Sequence, residues 1–152
     1  MRTVDRITIR APLARVFAAA AEVERWPAIL PHYRSVRFLS RHERGGTVEM
    51  AAWRPFGPLR YPTRWVSEMA VDPGRSEIRY RHVRGITTGM EVVWRLAANG
   101  AGVAVSVIHE WRGPRWPLIG GLAADWVIGP VFIHGIAART LAGLKRHTEE
   151  AA

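Results

Sequence analysis

Hydrophobic and polar residues alternate along most of the chain, and the period of this pattern changes from one segment to the next. Residues 4–10 alternate with a period of two, which is typical of a β-strand with one buried face. An alanine-rich run over residues 13–25 then predicts a helix that ends at Trp26-Pro27. A second short helix is predicted over residues 28–31.

From Tyr33 onward the pattern indicates β-hairpins. Turn signals separate runs of β character at Gly45-Gly46, Asp72-Pro73-Gly74 and Asn99-Gly100. The runs between them predict strands near 34–42, 47–54, 62–71, 76–83, 88–97 and 102–112. With the first strand this makes about seven, and they should be mainly antiparallel because tight turns connect them.

After Arg112 the period becomes helical. Residues at three- and four-residue spacing form a stripe that consists of Ile133, Ile136, Ala137, Thr140, Leu141 and Leu144. This stripe predicts a helix of about five turns, with Pro130 in its first turn. One helix cannot bury such a stripe alone, whereas a strongly bent antiparallel sheet offers a matching concave face. The element order therefore predicts a single α+β domain over residues 1–152.

Composition narrows the class of protein. The 152 residues are 48% hydrophobic and 23% charged, which is ordinary for a globular domain. The absence of cysteine excludes disulfides and thiolate sites. Residues 1–10 lack the apolar segment of a secretory signal, so a cytoplasmic location is expected. The 22 basic and 13 acidic residues give a net charge of +9, but the arginines are dispersed. Alternate positions such as Arg79 and Arg81 indicate a solvated sheet face, so no nucleic-acid partner is predicted.

Several kinds of chemistry have no support in the sequence. The glycine pairs belong to hairpin turns and form no phosphate-binding loop, and there is no Gly-x-Ser-x-Gly sequence. The six histidines lack the spacing of metal ligands. Glu68 and Glu110 fall on outward strand phases, so no buried carboxylate pair is expected. We therefore predict no metal, no cofactor and no nucleophilic or metal-dependent enzyme.

An ordered set of short segments resembles the START-like (SRPBCC) superfamily. The segments are Ala11-Pro12 through Val16-Phe17, Val23-Glu24-Arg25-Trp26-Pro27, Pro31-His32-Tyr33, Trp65-Val66-Ser67, Gly89-Met90 with Trp94, and His109-Glu110-Trp111. The resemblance covers nearly the whole chain and is closest to the polyketide cyclase/dehydrase (aromatase/cyclase) branch, with the coenzyme Q-binding START proteins nearby. It implies a helix-grip (START-like/Bet v 1-like) fold with an internal cavity, although the fold alone does not define the function.

The resemblance and the strand phases together predict the cavity wall. In the family the tryptophan and methionine of the sixth strand face inward, and the same phase can be continued onto the neighbouring strands. The predicted ligand contacts are Trp26, Tyr33, Trp65, Met69, Tyr80, Met90, Trp94, Val107, Trp111 and Trp126. Such an apolar surface with few polar groups is typical of ligand sites. The alternative is that these side chains simply fill the core.

Three residues are candidates for acid–base catalysis. Tyr33 matches a tyrosine that the resembling aromatase/cyclases present to their pocket, and a phenol can move a proton. His82 and His109 are the inward residues that titrate near neutral pH. Each of the three could instead be structural. The family also relies on an arginine in the fourth strand, and the aligned position here is Met69, while Arg64 on that strand should face outward.

The segment from Trp116 to Ala138 is unusually apolar, with Asp125 as its single formal charge. Its length raises the question of a transmembrane helix, but Pro117, Pro130 and several glycines argue against one. A cavity lid, a dimer contact and a membrane-docking surface stay open as alternatives.

Three hypotheses about function follow. The first is a binder, at most weakly catalytic, of a lipid-like or polycyclic aromatic molecule. The second is an aromatase/cyclase that closes and dehydrates a poly-β-ketone, with Tyr33, His82 and His109 as acid–base groups. The third is a lipid or quinone carrier or chaperone that contacts a membrane or a partner through residues 116–138. The sequence does not predict an oligomeric state.

Overall fold

Seven strands form one antiparallel sheet in the computed structural model, which describes residues 1–56, 58–113 and 133–151, without the side chains at positions 54–56 and 61. The strands are β1 (Arg2–Ile9), β2 (Tyr33–His42), β3 (Gly45–Phe56), β4 (Leu59–Asp72), β5 (Glu77–Arg84), β6 (Glu91–Asn99) and β7 (Gly102–Glu110). Their spatial order is β1-β7-β6-β5-β4-β3-β2. Every consecutive pair from β2 to β7 is a hairpin, and β1 closes the sheet against β7.

The helices lie between β1 and β2 and at the end of the chain. They are α1 (Leu13–Ala21), a 3-10 turn (Val23–Arg25), α2 (Trp26–Ile29) and α3 (His134–Glu150). The prediction of one helix through residue 25 was wrong, because α1 ends at Ala21 and Trp26 already belongs to α2. Pro27 does not break α2, since a proline in the first turn lacks only an N–H that has no partner inside the helix.

Alternation along the strands sorts the side chains as predicted. On β4, Trp65, Ser67 and Met69 are buried and Arg64 and Glu68 are exposed, as their phases predict, whereas Val66 on the outward phase is buried as well. The same phase holds on the next strands, where the buried residues are Ile78, Tyr80, His82, Val92, Trp94, Leu96, Val103, Val105 and Val107. The predicted helix-grip arrangement of a seven-stranded sheet and a long C-terminal helix is confirmed.

The C-terminal helix α3 packs against β1, α1 and α2. Lys145 Nζ donates to the Thr8 carbonyl at 2.8 Å, and the His134 ring contacts the buried Asp5 carboxylate. Gly143 lies so close to Leu30 that a Cβ at this position would meet its Cδ2 atom at 2.3 Å. These contacts seat α3 over the sheet. Among the residues described, no helix is both long and apolar enough to cross a membrane.

Two predictions fall outside the described residues. Pro130 and most of the apolar segment from Trp116 onward belong to residues 114–132. Whether that segment is a lid, a dimer contact or a docking surface therefore stays a prediction.

Candidate ligand-binding site

A cavity of about 70 Å³ lies between the concave face of the sheet and the first two turns of α3. Side chains from strands β2 to β7, from α2 and from α3 form its wall. The described lining residues are Trp26, Tyr33, Met50, Trp65, Tyr80, His82, Met90, Val92, Trp94, Val107, His109, Ile133, Ile136, Ala137 and Thr140. None of these is an aspartate, glutamate, lysine or arginine, so the described wall is apolar with a few neutral polar groups.

Aromatic rings follow one another around this wall. Trp26 contacts Trp94 on one side and Tyr33 on the other, with ring centroids 5.8 Å and 5.0 Å away. Tyr33 meets Trp65 edge-on at 6.2 Å, and Trp65 stacks on His82 at 5.9 Å with an angle of 11° between the planes. The Trp26 indole N–H donates to the Ala19 carbonyl at 3.0 Å, which anchors the series to α1. Aromatic pairs in such edge-to-face and offset geometries contribute stability in addition to that gained by burying their apolar surface.

Tyr80 contributes a polar group without a partner among the described residues. Its ring lines the cavity, and its hydroxyl is buried and makes no hydrogen bond there. Burial, with the neighbouring Tyr33 as a smaller cause, raises the pKa of the Tyr80 phenol well above its ordinary value. The phenol therefore stays protonated in the physiological range and can donate a hydrogen bond. A buried donor of this kind favours a ligand that brings an acceptor.

His82 is held in place by Thr87 and Trp65. Its Nδ1 atom lies 2.7 Å from the buried Thr87 hydroxyl, and its ring stacks on Trp65. Thr87 belongs to the β5–β6 loop, whose Gly85 has a φ of +105°, a conformation that favours glycine. The Thr87 contact and the stacking on Trp65 hold the His82 ring at the cavity wall, where an imidazole can exchange a proton with a ligand.

A second histidine stands behind the cavity wall. His32 Nε2 lies 2.9 Å from Thr140 Oγ1, and the same hydroxyl donates to the Ile136 carbonyl at 2.8 Å. The hydroxyl has one proton, so it must accept from His32, which places a proton on Nε2. Burial, and to a lesser degree the charge of Arg139, lowers the pKa of His32 to about 4. His32 is therefore neutral at neutral pH.

The structure brings most of the predicted site residues together. Seven of the ten predicted ligand contacts line the cavity, namely Trp26, Tyr33, Trp65, Tyr80, Met90, Trp94 and Val107. The three predicted acid–base candidates, Tyr33, His82 and His109, also line it. Trp126 lies outside the described residues.

Two predicted contacts do not reach the cavity. Met69 is buried on the concave face as its strand phase predicts, but it lies four residues beyond Trp65 on β4, about 13 Å along the strand. Trp111 follows the end of β7, where its indole N–H donates to the Thr88 carbonyl at 3.1 Å and closes the β5–β6 loop. Strand phase selects a face of the sheet, and the cavity occupies only part of that face.

Six lining residues were not among the predicted ligand contacts. They are Met50, Val92, Ile133, Ile136, Ala137 and Thr140. Val92 shares the inward phase of Trp94, and the alternation of β3 would have found Met50. Ile133 and the three α3 residues belong to the helical stripe, which the sequence assigns to the core without showing that part of it borders a cavity. In the described parts of the chain, no group of three histidines or acidic residues could hold a metal ion.

Comparison with known proteins identifies the relatives of this chain. The family described as "Polyketide cyclase / dehydrase and lipid transport" matches residues 9–127. The actinorhodin polyketide synthase bifunctional cyclase/dehydratase of Streptomyces coelicolor is 29% identical over 123 residues, which cover 80% of this chain and 38% of that protein. The granaticin polyketide synthase bifunctional cyclase/dehydratase of Streptomyces violaceoruber is 31% identical over 96 residues, which cover 61% of this chain and 28% of that protein. The chain thus spans less than half the length of either relative.

Solved structures agree on the fold. The crystal structure of the Zhui aromatase/cyclase from Streptomyces sp. R1128 superposes with a TM-score of 0.83 at 19% identity, over 99% of this chain and 94% of that one. The family match extends over most of the chain, and the structural match includes the sheet and the helix that enclose the cavity. The chain therefore belongs to the polyketide cyclase/dehydrase and lipid transport family.

Proposed function

We propose that the protein binds an apolar, carbonyl-bearing small molecule of the polyketide or aromatic class in the cavity. The observation that carries this proposal is the uncharged, ring-lined wall with the buried Tyr80 hydroxyl as a donor in need of an acceptor. Flat apolar ligands stack well on aromatic rings, and a carbonyl oxygen would satisfy the phenol. The names of the Streptomyces relatives, which are polyketide synthase cyclase/dehydratases, support this ligand class.

Ligand entry must enlarge the cavity. Its volume of about 70 Å³ is small beside the roughly 300–1,000 Å³ of pockets that enclose drug-sized ligands. Met50 and Met90 have flexible side chains that adapt to irregular shapes at low cost. We therefore expect binding to displace these methionines and to leave the more rigid ring series in place.

A matched pair of ligands tests the role of Tyr80. 2-Acetylnaphthalene carries a carbonyl acceptor, and 2-ethylnaphthalene has nearly the same shape without one. Titrations followed by tryptophan fluorescence should show the ketone binding several-fold more tightly, since one net hydrogen bond contributes about 1 kcal/mol. Tyr80→Phe should abolish this preference while it retains binding of the hydrocarbon. A preference that survives in Tyr80→Phe would contradict the assignment of the donor.

The cavity itself is tested by filling it. Ala137→Leu extends a side chain from α3 into the cavity, whereas Ala138→Leu adds the same atoms at an exposed position on the same helix. Binding of both ligands should fall strongly in Ala137→Leu and stay unchanged in Ala138→Leu. Circular dichroism would verify that both variants keep the fold. Equal binding by both variants would place the ligand elsewhere.

A second candidate function is cyclisation of a poly-β-ketone, which the setting of His82 favours. Its ring lines the cavity and is held by Thr87 and Trp65, so the imidazole could take a proton from a ligand carbon. That carbon would attack a second carbonyl carbon, the carbonyl oxygen would take a proton from a phenol such as Tyr80 or Tyr33, and loss of one water would complete the dehydration. No cation lines the described wall, so neutral donors would have to stabilise the developing charge.

The linear triketone heptane-2,4,6-trione tests this second function. Ring closure with loss of one water gives an aromatic diol that absorbs in the ultraviolet. If the protein catalyses this step, His82→Gln should slow it by at least about tenfold, because a general base contributes roughly 10²–10⁴. The variant should still bind 2-acetylnaphthalene, which separates a chemical role from a structural one. An unchanged rate in His82→Gln would remove His82 as the base, and no acceleration over buffer would remove the enzymatic function for this substrate.

A further inference from the structure

A groove lies on the outer side of α3, away from the cavity. Its volume is about 380 Å³, and it is lined by Pro31, His32, Trp53, Arg60, Arg139, Ala142, Gly143 and Arg146. These residues come from the segment before β2, from the β3–β4 hairpin and from α3. The groove therefore forms only when the chain is folded.

The spacing of the α3 residues explains the shape of the groove. Arg139, Ala142, Gly143 and Arg146 stand at positions i, i+3, i+4 and i+7, so they share one face of the helix. The two arginines lie two turns apart, about 10 Å along the axis, with the two small residues between them. Each arginine side chain is long enough to lean toward the space above Ala142 and Gly143. Ala142 and Gly143 therefore form the floor of the groove, and the cations of Arg139 and Arg146 lie at its two ends.

Among the described residues, the arginines of the groove have no carboxylate partner, unlike several arginines on the outer face of the sheet. On the outer face of the sheet, arginines pair with glutamates at 3.0–3.4 Å, in the pairs Arg37–Glu49, Arg64–Glu49, Arg79–Glu77 and Arg95–Glu77. No described residue forms an ion pair with Arg60, Arg139 or Arg146. The guanidinium groups of Arg34 and Arg60 instead stand over the Trp53 ring, at 4.9 Å and 4.7 Å from its centroid.

Positive charge collected in a concave surface attracts an anion. Like charges on neighbouring arginines repel each other, and a bound anion would offset this repulsion. The planar guanidinium donates paired hydrogen bonds that match the oxygens of phosphate and carboxylate groups. Three arginines match the double charge of a phosphate monoester better than the single charge of a carboxylate. The concave shape favours a compact ligand over a broad surface such as a duplex or a bilayer.

We propose that the groove formed by Arg60, Arg139 and Arg146 beside Trp53 binds the phosphate group of a small phosphate monoester. This site is separate from the cavity and does not depend on what the cavity holds. The hydrogen-bonded pair His32–Thr140 divides the two, because His32 lines the groove while Thr140 lines the cavity. An apolar group attached to the phosphate would lie beside Trp53.

Calorimetric titration at low salt tests the proposal, since salt screens charge–charge attraction. The probes are phenyl phosphate, inorganic phosphate, benzoate and vesicles that contain phosphatidic acid. Phenyl phosphate should bind, inorganic phosphate more weakly and benzoate most weakly. Binding of the vesicles alone, or of benzoate as tightly as phenyl phosphate, would overturn the proposal in favour of a membrane surface or a general anion site.

A pair of double variants separates the groove from the overall charge. Arg139→Gln/Arg146→Gln removes two charges from the groove and should weaken phenyl phosphate binding at least about tenfold. Arg6→Gln/Arg15→Gln removes two exposed charges elsewhere and should change it less than about twofold. Equal losses in both variants would overturn the proposal, because net charge alone would then explain the affinity.

The ring of His32 supplies a local readout. Its NMR signals should shift when phenyl phosphate is added to the natural protein and should stay unchanged in Arg139→Gln/Arg146→Gln. Signals that do not move in the natural protein while phosphate binds would place the ligand at another site and overturn the assignment. Failure of the naphthalene ligands to bind the cavity would leave these phosphate measurements unaffected, so the two proposals can fail separately.

Discussion

The two faces of α3 carry opposite kinds of surface on the same helix. Its inner face presents Ile136, Ala137 and Thr140 to an uncharged cavity, and its outer face presents Arg139 and Arg146 to the groove. Thr140 and Arg139 are neighbours in sequence, but one residue turns the helix by about 100°. A single step along the chain therefore separates an environment suited to an apolar ligand from one suited to an anion.

Two tryptophans show the same contrast. Trp26 is 2% exposed and is surrounded by other rings of the cavity wall. Trp53 is half-buried and is covered by arginine side chains beside the groove. Packing in the interior should therefore govern stability, whereas the outer side should tolerate change and govern charge-dependent binding. The following variants test that division.

The largest difference is expected between the two tryptophans. Trp26→Ala should lower the free energy of unfolding by about 3–5 kcal/mol, because it leaves a large hole in a packed wall and removes the hydrogen bond to Ala19. Trp53→Ala should cost about 1 kcal/mol or less, the usual size of a partly exposed cation–π contact. Urea unfolding followed by circular dichroism measures both. A loss of similar size in the two variants would show that the groove side is as tightly packed as the cavity side.

A smaller effect is expected at the boundary between the two faces. Thr140→Val removes the acceptor of the buried His32 N–H and should cost about 1–3 kcal/mol, or several degrees in Tm. Thr148→Val is the matched control, because its hydroxyl donates only to backbone carbonyls of its own helix. Thermal unfolding at pH 7 should show a clearly smaller loss for Thr148→Val. Identical losses would mean that the pairing with His32 adds nothing.

Acid should also destabilise the protein, because it protonates His32 between the cavity and the groove. The folded pKa of His32 is about 4, below the unfolded value of 6.5, so between these values the unfolded chain takes up a proton that the folded chain does not. The contribution of neutral His32 to the free energy of unfolding is fully present above pH 6.5 and is lost progressively as the pH falls toward 4.

The variant His32→Gln isolates this contribution, since glutamine can still donate to Thr140 and does not titrate. Between pH 7 and pH 4.5 the Tm of the natural protein should fall further than that of His32→Gln. Parallel curves would contradict the assignment of a neutral, buried His32.

The smallest change in stability is expected on the outer face. Arg139→Gln/Arg146→Gln should alter the free energy of unfolding by no more than about 0.5 kcal/mol, because both side chains are exposed and make no ion pair with a described residue. Urea unfolding at low and high salt would measure it. A loss of several kcal/mol in the free energy of unfolding would show that these arginines stabilise the fold and do not serve mainly to bind a ligand.

Much of the fold and part of the site could be predicted because they depend on local period. The two-residue alternation, with its inward phase taken from the family resemblance, placed Trp65, Tyr80 and Trp94 on the inner face of the sheet, and all three are buried. The boundary of α1 was missed because an alanine-rich run and the following turn have similar helix propensity. Met69 was assigned to the cavity because alternation predicts which face of the sheet a side chain occupies, but not how far along the strand the cavity extends.

The sequence by itself determined the order of elements, the alternation of each strand and the inner stripe of α3, since each follows from neighbouring residues, and the family resemblance added which phase faces inward. Only the tertiary structure decided that the Tyr80 hydroxyl is left without a described partner, and that Arg60 on β4 stands beside Arg139 and Arg146 on α3. Arginines that look dispersed along the chain become a cluster in this way. The physical reason is that the curvature of the sheet and the seating of α3 set the distances between elements, and no local period encodes those distances.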